Sequence, residues 1–528
     1  MKLFKVITGI GLGLVLSSCG GDKLPVSDLA KAALIPIPNK IEATHKNFVL
    51  NADVVIQSSD DASFKDAANF LVEKIAMKTQ LTPNVVSNGG AKKGIYLNQV
   101  NDAAAHPESY ELIISQDSIV INAPTGVGAF RAMQTIRQVI PFNSVDNLNT
   151  EWLIPTGQIQ DSPNFDHRGS MLDVSRHFFT VEDVKKYIDI MAYYKMNILH
   201  FHLSDDQGWR LEIKKWPLLT EIGGHTEVGG EEGGFFTQED YKEIVAYATK
   251  HHITIIPEID MPGHTHAAST AYPFLNGSKK TAEMLDTHGD NRKAALYTGI
   301  EVGFSTFDTR NEKVYEFVDD VIKEIAELTP GPYIHMGGDE SLVTEKDDYI
   351  YFVNRVEKII QKYGKTMIGW DEIANADVSS ESVVQFWAEE ENVKLAQEKE
   401  MKVILSPAKK IYLDMQYDSL SKHGLHWAAY IPVDSSYTWN PETYVHGLPK
   451  EQILGVEAPL WSETISNMQE IEYLAFPRLL SAAELGWSAP TDFSWKTYKV
   501  RLANQTSYFK KMNIQYYQSD RVDWAPVE

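Results

Sequence analysis

The chain has 528 residues, a formal net charge of −23 at pH 7, 43% apolar residues and 11% aromatic residues. This length exceeds one typical domain, so we expect two or three domains with sizeable apolar cores rather than a disordered chain. The negative charge argues against nucleic acid and other polyanions as partners, because they would be repelled at long range.

The chain begins with the pattern of a secretory signal. Lysines precede a short apolar run from Val6 to Leu16, which is too short to be a comfortable membrane span. The run ends in Leu-Ser-Ser-Cys, which resembles a bacterial lipobox, in which the cysteine becomes the lipidated first residue. We therefore predict a lipoprotein signal over 1–18 and lipidation at Cys19. Such a protein is exported and anchored in a bacterial membrane, in the periplasm, at the outer membrane or at the cell surface.

Cys19 is the single cysteine of the sequence. A mature chain without another thiol has no disulfides, so its stability must come from core packing. Residues 19–30 are small and polar, which suits a tether, and no later segment is apolar enough to cross a membrane. We expect the lipid anchor to be the only membrane contact.

The next segment has a mixed pattern. Short strand-like runs such as KGIYLNQV alternate with stretches such as FKDAANFLVEKIAMKT, which carry apolar residues at helical spacing. The runs ELIIS and SIVINA, on either side of Asp117, are typical of a hairpin. We predict a small α+β domain over 31–160 without a catalytic constellation.

From about Phe165 the chain alternates between apolar strands and helices. The helix candidate beginning at Thr237 has a capping-box pattern. The eight strand candidates are GSMLDVSRH, NILHFHLSDD, ITIIPEIDMPGH, YIHMGGDE, TMIGWDEI, VVQFWAEE, KVILSP and ILGVEAPLWSE. Such alternation predicts a parallel sheet, and the count of eight favours a closed (β/α)8 barrel over an open doubly wound sheet. We assign 161–490 to this barrel and 491–528 to a C-terminal extension packed on it.

Carboxylates and tryptophans collect at the predicted carboxyl ends of these strands, where barrel enzymes have their active sites. The residues at these ends are Asp205, Asp206, Asp260, His264, Asp339, Glu340, Trp370, Asp371, Trp387, Trp461 and Glu463. The adjacent pair Asp339 and Glu340 follows two glycines, which let the backbone come close to a ligand. Neighbours on a strand point to opposite faces, so both can face the mouth only where the strand gives way to a loop.

Carboxylates together with indole faces suit a sugar substrate. Ordinary glycosidases use two carboxylates on opposite sides of the scissile bond, whereas sequence neighbours approach from much the same side. A 2-acetamido sugar can supply the missing nucleophile through its own amide oxygen and form an oxazolinium intermediate. Glu340, with the longer side chain, then suits the general acid. Asp339 suits the clamp on the acetamido N–H, and its charge raises the pKa of Glu340.

The motif HMGGDE resembles the catalytic signature of the glycoside hydrolase family 20 β-N-acetylhexosaminidases. The motifs RGSMLDVSRHF, HFHLSDDQGWR and PEIDMPGHT before it, and GWDEI, QFWAEE, YLDM and LWSE after it, occur in that family's order. The resemblance covers the barrel, and the preceding domain fits the family's auxiliary domain. It implies an exo-acting, retaining enzyme that removes terminal N-acetyl-β-D-hexosamine from oligosaccharides or glycoconjugates, with no cofactor and no metal.

The resemblance also implies roles in the reaction. Glu340 would be the acid/base, Asp339 the acetamido clamp, and Tyr412 the group that bonds the acetamido oxygen. Asp205 and His264 would form a supporting polar pair.

The resemblance further implies a set of sugar-binding residues. Trp461 would stack under the sugar ring. The residues that would wall the acetyl methyl are Trp370, Trp387 and Trp427. The residues that would bind ring hydroxyls are Arg168, Asp414 and Glu463. A second acidic pair, Asp371 and Glu372, is interpreted as structural or as loop charges.

Two alternatives remain open at this point. The pattern His-Phe-His at 200–202, with His-Thr-His at 264–266, resembles the metal-binding residues of barrel amidohydrolases and would indicate a metal-dependent barrel hydrolase. Such a site needs further ligands at the middle strands, where Trp370, Asp371 and Trp387 occur instead. The other alternative is a catalytically inactive sugar-binding lipoprotein, against which the intact acidic pair argues.

Overall fold

The computed structural model describes residues 27–86, 93–142 and 151–526. The predicted signal over 1–18 and Cys19 lie outside the described residues. Within the described residues, no helix combines the length and the apolar character needed to span a membrane.

Within its described residues, the first domain is a mixed seven-stranded sheet with two α-helices. Its elements are β1 (Lys40–Leu50), β2 (Val55–Ser58), α1 (Ala62–Thr79), β3 (Val85–Val86), β4 (Gly94–Gln99), β5 (Tyr110–Ile114), β6 (Ser118–Ala123), α2 (Gly126–Val139) and β7 (Trp152–Asp161). The strand order is β1-β7-β5-β6-β4-β2-β3, and the predicted hairpin is the antiparallel pair β5–β6. The two helices pack on each other and on the sheet, which confirms the predicted α+β character.

The second domain is a closed barrel of eight parallel strands. They are β8 (His167–Asp173), β9 (Ile198–His202), β10 (Thr254–Glu258), β11 (Tyr333–His335), β12 (Thr366–Trp370), β13 (Val383–Phe386), β14 (Lys402–Leu405) and β15 (Ile453–Leu460). The ring closes where β15 pairs with β8 and β8 pairs with β9. Each of the eight predicted strands is present, and the barrel fold is confirmed.

Helices separate most of the strands and cover the barrel. They are α3 (Val181–Tyr193), α4 (Leu218–Glu221), α5 (Gln238–Lys250), α6 (His266–Ala271), α7 (Lys279–His288), α8 (Glu312–Leu328), α9 (Lys346–Lys362), α10 (Glu390–Glu398), α11 (Ala408–Ile411), α12 (Val433–Tyr437), α13 (Met468–Ala475) and α14 (Arg478–Trp487). The predicted capping box is present, because the Thr237 side chain accepts from Asp240 N–H and the Asp240 side chain accepts from Thr237 N–H.

The barrel interior changes from apolar to polar along its axis. Alternate residues of each strand point inward, and the lower inward positions form an apolar layer of Ile198, Ile256, Ile368, Val383 and Ile404. Above this layer the inward positions carry imidazoles and carboxylates. These residues are His200, His202, Glu258, His335, Gln385 and Glu457, and all are buried.

The C-terminal segment folds against the barrel. It contains α15 (Trp495–Ala503) and α16 (Thr506–Lys511). Tyr508 stacks on Tyr193 of α3 with ring centroids 3.9 Å apart. Arg501 forms an ion pair with Glu484 of α14, and the Glu484 side chain is fully buried.

Candidate active site

A pocket of about 320 Å³ opens at the carboxyl ends of the barrel strands. Its walls are formed by Arg176, Ile300, Val302, Asp339, Glu340, Trp370, Trp387, Tyr412, Leu425, Trp427, Trp461 and Glu463. The volume is near the lower end of the range for small-molecule sites. A larger cavity of about 480 Å³ lies at the amino-terminal side of the barrel, but its buried charges, Glu108 and Arg131, are paired with each other.

The two glycines before the acidic pair are required by the backbone. Gly337 and Gly338 have φ angles of 70° and 103°, which favour glycine. A Cβ on Gly337 would lie 1.8 Å from Asp260 Oδ1, and the same oxygen accepts a hydrogen bond from Gly338 N–H at 3.0 Å. Because β11 ends at His335, Asp339 and Glu340 lie in the loop beyond it, and both line the pocket.

Two non-glycine residues at the site have left-handed backbone conformations. Glu340 has φ 40° and His264 has φ 54°. This conformation costs free energy for residues with a side chain and tends to be retained at functional sites. The surrounding contacts therefore hold both side chains in orientations that an unstrained loop would not give.

Asp339 and Glu340 have different surroundings. The Asp339 side chain is buried, and its Oδ1 has no hydrogen-bond partner within the described part of the chain. The Glu340 side chain is one-third exposed, at 33%. Burial and the neighbouring negative charge of Asp339 raise the pKa of Glu340 above its ordinary value. The site therefore favours the protonated form of Glu340 more than an exposed position would, beside an Asp339 oxygen that has no donor within the described residues.

His264 links the acidic pair to a buried carboxylate. Its Nε2 lies 3.6 Å from Asp339 Oδ2 and 3.7 Å from Glu340 Oε2, and its Nδ1 donates to Asp205 Oδ1 at 3.1 Å. Burial disfavours the imidazolium, but Asp205 and Asp339 raise the pKa of His264 well above its usual range. The predicted pair of Asp205 and His264 is present, and Asp205 supports the site from beneath the pocket.

Aromatic residues at the end of β12 and in the loops after β13, β14 and β15 wall the pocket. Ring centroids are 5.7 Å apart between Trp370 and Trp461, 6.0 Å between Trp387 and Trp427, and 6.1 Å between Tyr412 and Trp427. Trp370 is 1% exposed, whereas Trp427 is 56% exposed and forms part of the rim. The structure thus brings all four predicted tryptophans and Tyr412 together.

The second acidic pair positions one of these tryptophans. Asp371 Oδ2 accepts from Trp387 N–H at 3.0 Å, and Glu372 Oε2 accepts from the indole Nε1–H at 3.2 Å. Neither Asp371 nor Glu372 lines the pocket. Their contacts agree with the structural interpretation.

We expect Trp387→Ala to reduce transition-state binding by roughly 2–4 kcal/mol, on the order of 30- to 1000-fold in kcat/KM, because apolar burial and substrate positioning are lost. Steady-state kinetics of the folded variant would measure this effect. Trp439→Ala is the matched control, since Trp439 donates to Ser436 O and packs on Tyr444 outside the pocket. An unchanged kcat/KM for Trp387→Ala would remove Trp387 from the substrate contacts.

Glu463 lines the pocket, and a second buried carboxylate, Asp414, is near Glu463 but is not among the lining residues. Both oxygens of Asp414 and Oε2 of Glu463 are buried without a hydrogen-bond partner among the described residues. Burial raises the pKa of both carboxyls, and the charge of Glu463 adds to the effect at Asp414. Unpaired acceptors of this kind are suited to hydroxyl donors. Their binding of ring hydroxyls stays a prediction.

Arg168 lies away from the pocket, so its predicted role in binding ring hydroxyls is wrong. It is near the amino-terminal end of β8, and its side chain is 0% exposed. Its guanidinium donates to Glu108 Oε2 at 2.5 Å, to Phe165 O at 2.8 Å and to Lys195 O at 3.1 Å. Arg168 therefore joins the barrel to the first domain.

The arginine at the pocket is Arg176, whereas the sequence resemblance had assigned that place to Arg168. It lines the pocket, and its Nη2 lies 2.7 Å from Asp205 Oδ2. The signal was available in the same motif: Arg176 follows the carboxyl end of β8 at Asp173, whereas Arg168 is the second residue of that strand. The rule that barrel sites lie at carboxyl ends favours Arg176.

We expect Arg168→Met to lower the free energy of unfolding by about 3–5 kcal/mol, because it leaves the buried Glu108 short of one partner. The KM of the folded variant should be nearly unchanged. Urea unfolding and steady-state kinetics would measure the two effects. Arg176→Met is the matched comparison and should lower kcat/KM strongly. A large KM effect in Arg168→Met with normal stability would contradict this assignment.

Imidazoles and carboxylates also come together below the pocket. Four groups among the described residues place their ligand atoms within 4.8 Å of one another. One of them, His264 with Asp339 and Glu340, contains the acidic pair of the pocket itself, and a deeper one consists of His200, Glu258 and His335. This group is fully buried. Since none of these three residues lines the pocket, the group lacks the open coordination position of a catalytic metal site. The absence of a metal cofactor stays a prediction.

Comparisons with known proteins agree with this geometry. The model of the catalytic domain of glycosyl hydrolase family 20 matches residues 165–490, and the model of domain 2 of that family matches residues 31–162. These ranges are close to the predicted domains at 161–490 and 31–160.

Relatives match over nearly the whole chain. A β-N-acetylhexosaminidase from Cellulomonas fimi is 35% identical over 498 residues, covering 93% of this chain and 97% of the relative. The solved family 20 β-N-acetylhexosaminidase from Streptomyces coelicolor A3(2) is 41% identical with a TM-score of 0.88, covering 94% of this chain and 100% of that chain. The Streptomyces plicatus N-acetyl-β-hexosaminidase is 40% identical with a TM-score of 0.88, covering 95% and 99%. Fold, pocket and sequence together show that the chain belongs to glycosyl hydrolase family 20.

Proposed function

We propose that the chain is an exo-acting β-N-acetylhexosaminidase. It hydrolyses terminal non-reducing N-acetyl-β-D-hexosamine residues with retention of configuration and with the substrate's acetamido group as nucleophile. One observation carries this proposal: Asp339 and Glu340 lie side by side on one loop in a pocket walled by tryptophans. This arrangement offers an acid and a clamp from one side of the sugar.

The first step forms the oxazolinium intermediate. The acetamido oxygen attacks the anomeric carbon while the bond to the leaving oxygen breaks, and Glu340 donates its proton to that oxygen. Asp339 accepts a hydrogen bond from the acetamido N–H and stabilises the positive charge that develops there. Tyr412 donates a hydrogen bond from its hydroxyl to the acetamido oxygen and so orients it for attack.

The second step uses water. Glu340, now a carboxylate, accepts a proton from a water molecule whose oxygen attacks the anomeric carbon. The bond to the acetamido oxygen breaks, and the acetamido group is restored. Because two displacements occur at the same carbon, the product keeps the β configuration. Glu340 is left protonated for the next cycle.

The size of the pocket supports removal of one terminal sugar at a time. A volume of about 320 Å³ enclosed by tryptophans suits a single ring better than a continuous polysaccharide. We extend the proposal to chitin oligosaccharides as one class of substrate. The support is a relative from Vibrio harveyi, N,N'-diacetylchitobiase, 30% identical over 489 residues, 72% of this chain and 54% of the relative.

A panel of aryl β-glycosides with and without the 2-acetamido group tests this function. We expect turnover of N-acetyl-β-glucosaminides or N-acetyl-β-galactosaminides and none of the plain β-glucoside. Efficient hydrolysis of the plain β-glucoside would contradict the substrate-assisted mechanism, and so would a covalent sugar trapped on a protein carboxylate.

The two alternatives from the sequence are not retained. The chain belongs to a hydrolase family and keeps Asp339 and Glu340 in the pocket, which opposes an inactive sugar-binding protein. The pattern His-Phe-His at 200–202 contacts buried carboxylates below the pocket, which opposes a metal-dependent hydrolase site there.

We also propose that the protein is an exported lipoprotein, on the basis of the sequence pattern that ends at Cys19. We expect Cys19→Ser to release the enzyme from the membrane fraction, because a thioether-linked lipid is the proposed anchor. Fractionation of cells expressing wild type and variant, followed by activity assays, would measure the release. Equal membrane retention of both proteins would rule out this anchor.

A further inference from the structure

A buried carboxylate below the pocket contacts two groups that lead into the active site. Glu258 is the last residue of β10, and its side chain is 0% exposed. Its Oε1 accepts from Trp370 Nε1–H at 3.0 Å, and its Oε2 accepts from His202 Nδ1–H at 2.6 Å. Glu258 is not among the residues that line the pocket, whereas its partner Trp370 is.

The second contact continues to the catalytic acid. His202 Nε2 donates to Asp205 Oδ2 at 3.0 Å, and Asp205 Oδ1 accepts from His264 Nδ1 at 3.1 Å. His264 Nε2 then lies 3.7 Å from Glu340 Oε2. Glu258 is thus joined to the pocket wall by one route and to Glu340 by another.

The contacts of His202 determine its protonation state. Both ring nitrogens are within hydrogen-bond distance of a carboxylate oxygen, and an ionised carboxylate can only accept. The two short carboxylate contacts therefore favour a proton on each ring nitrogen, and they outweigh the longer 3.4 Å contact between Arg176 Nη1 and His202 Nε2. Despite burial, the charge of Glu258 and the hydrogen bond to Asp205 raise the pKa of His202 well above its usual range.

Other charged and titratable groups surround this network. Those facing Glu258 are His200, whose Nε2 is 2.9 Å from Oε2, and His335, whose Nδ1 is 3.3 Å from Oε1. The buried carboxyl of Asp260 is also near, because ligand atoms of His202, Glu258 and Asp260 lie within 4.8 Å of one another. His200 in turn donates to Glu457 Oε1 at 2.7 Å. His202 is also faced by Arg176 and Asp173. Glu340 is faced by Asp339, His264, Arg176 and Asp205.

Burial opposes ionisation of Glu258, but its imidazole neighbours hold its pKa well below the ordinary value.

We propose that Glu258 is a positioning residue for the hydrolysis: its two oxygens hold Trp370 in the pocket wall and keep His202 doubly protonated, which fixes Asp205 and His264 beside Glu340. The inference rests on the proposed function. Trp370 and the protonated His202 both donate hydrogen bonds to Glu258. Only a side chain with two accepting oxygens can satisfy both partners.

The variant Glu258→Gln separates the contact with Trp370 from the contact with His202. A glutamine has one accepting oxygen and one donating amide, so it cannot accept from both Trp370 and His202. The indole N–H cannot lose its proton, whereas His202 can. The amide oxygen is therefore expected to face Trp370, and the amide N–H₂ group to face His202 Nδ1. Because that group donates, Nδ1 must accept, and His202 becomes a neutral imidazole.

The loss of charge on His202 changes the pH profile in a defined direction. The variant loses a positive charge at His202 and a negative charge at Glu258, and His202 is nearer to Glu340 along the network. Glu340 then experiences a more negative potential and keeps its proton to higher pH. The basic limb of kcat/KM therefore moves to higher pH, while kcat falls on the order of 10- to 100-fold because His264 and Trp370 are less well held.

The pH profiles of kcat and kcat/KM for an aryl N-acetyl-β-glucosaminide test this in wild type and Glu258→Gln. Glu484→Gln is the matched control, because Glu484 is an equally buried carboxylate paired with Arg501 on the outer surface of the barrel. It should lose stability and keep the wild-type profile. A basic limb in Glu258→Gln that stays in place or moves to lower pH would overturn the proposal.

A second measurement does not depend on turnover or on the folding of Glu258→Gln. In the wild-type enzyme labelled with ¹⁵N-histidine, His202 should show two protonated ring nitrogens at neutral pH, assigned by comparison with His202→Gln. Where Glu258→Gln folds, one of the two protons should be lost. A single ring proton on His202 in the wild type would overturn the proposal. Failure of the proposed function would appear separately, as a lack of turnover across the glycoside panel.

Discussion

Glu340→Gln is expected to lower the hydrolysis rate of glycosides with poor leaving groups on the order of 10²–10⁴-fold. The variant keeps the shape of the side chain but has no proton to donate to the leaving oxygen. Aryl glycosides with acidic phenols need less protonation and should be less affected in the step that breaks the glycosidic bond. Rates for a series of leaving groups would measure this difference as a steeper dependence on leaving-group pKa.

The wild-type enzyme provides the control for this prediction. Burial and the charge of Asp339 raise the pKa of Glu340, and the protonated form is the active acid. Activity should therefore persist to higher pH than an exposed glutamic acid would allow, and should fall as pH rises through the raised pKa. A basic limb that survives unchanged in Glu340→Gln would assign the acid to another group.

Asp339→Asn is expected to produce a large loss of rate for good and poor leaving groups alike. The charge of Asp339 is needed whenever the acetamido group attacks, whatever the leaving group is. An asparagine can also present its N–H₂ group to the acetamido N–H, which places two donors together. Kinetics on the same leaving-group series would measure the effect as a uniform decrease in rate.

The pH profile distinguishes Asp339→Asn from a general disruption of the pocket. Removing the negative charge takes away one cause of the raised pKa of Glu340, so the basic limb should move to lower pH. The variant should also lose affinity for a thiazoline that mimics the oxazoline intermediate. Unchanged thiazoline binding together with an unchanged basic limb would show that Asp339 is not the clamp.

Much of the fold and part of the site could be predicted from local sequence. The alternation of strands and helices predicted the barrel, because hydrophobic periodicity depends on neighbouring residues. The acidic pair at 339–340 could be placed at a strand end for the same reason. The pattern His-Phe-His at 200–202 could not be interpreted in this way, since it is equally suited to metal ligands and to hydrogen bonds with buried carboxylates.

Arg168 and Arg176 show where motif resemblance reaches its limit. Both belong to one quoted motif, and both side chains are almost fully buried. Arg168, the second residue of β8, contacts Glu108 of the first domain. Arg176, which lies beyond the end of β8, contacts Asp205 below the pocket. Residues near opposite ends of one strand have different surroundings, which the motif by itself does not distinguish.

The sequence by itself determined the order of the elements, the strand ends and the identity of the acidic pair, because these depend on patterns within a few residues. Only the tertiary structure decided which distant groups meet. Closure of the ring places β15 beside β8 and β8 beside β9. Inward side chains far apart in the chain then share the barrel interior, as Glu258, His202 and Trp370 do. Their hydrogen bonds, burial and charge depend on that closure, since each strand alone would expose its polar groups to water.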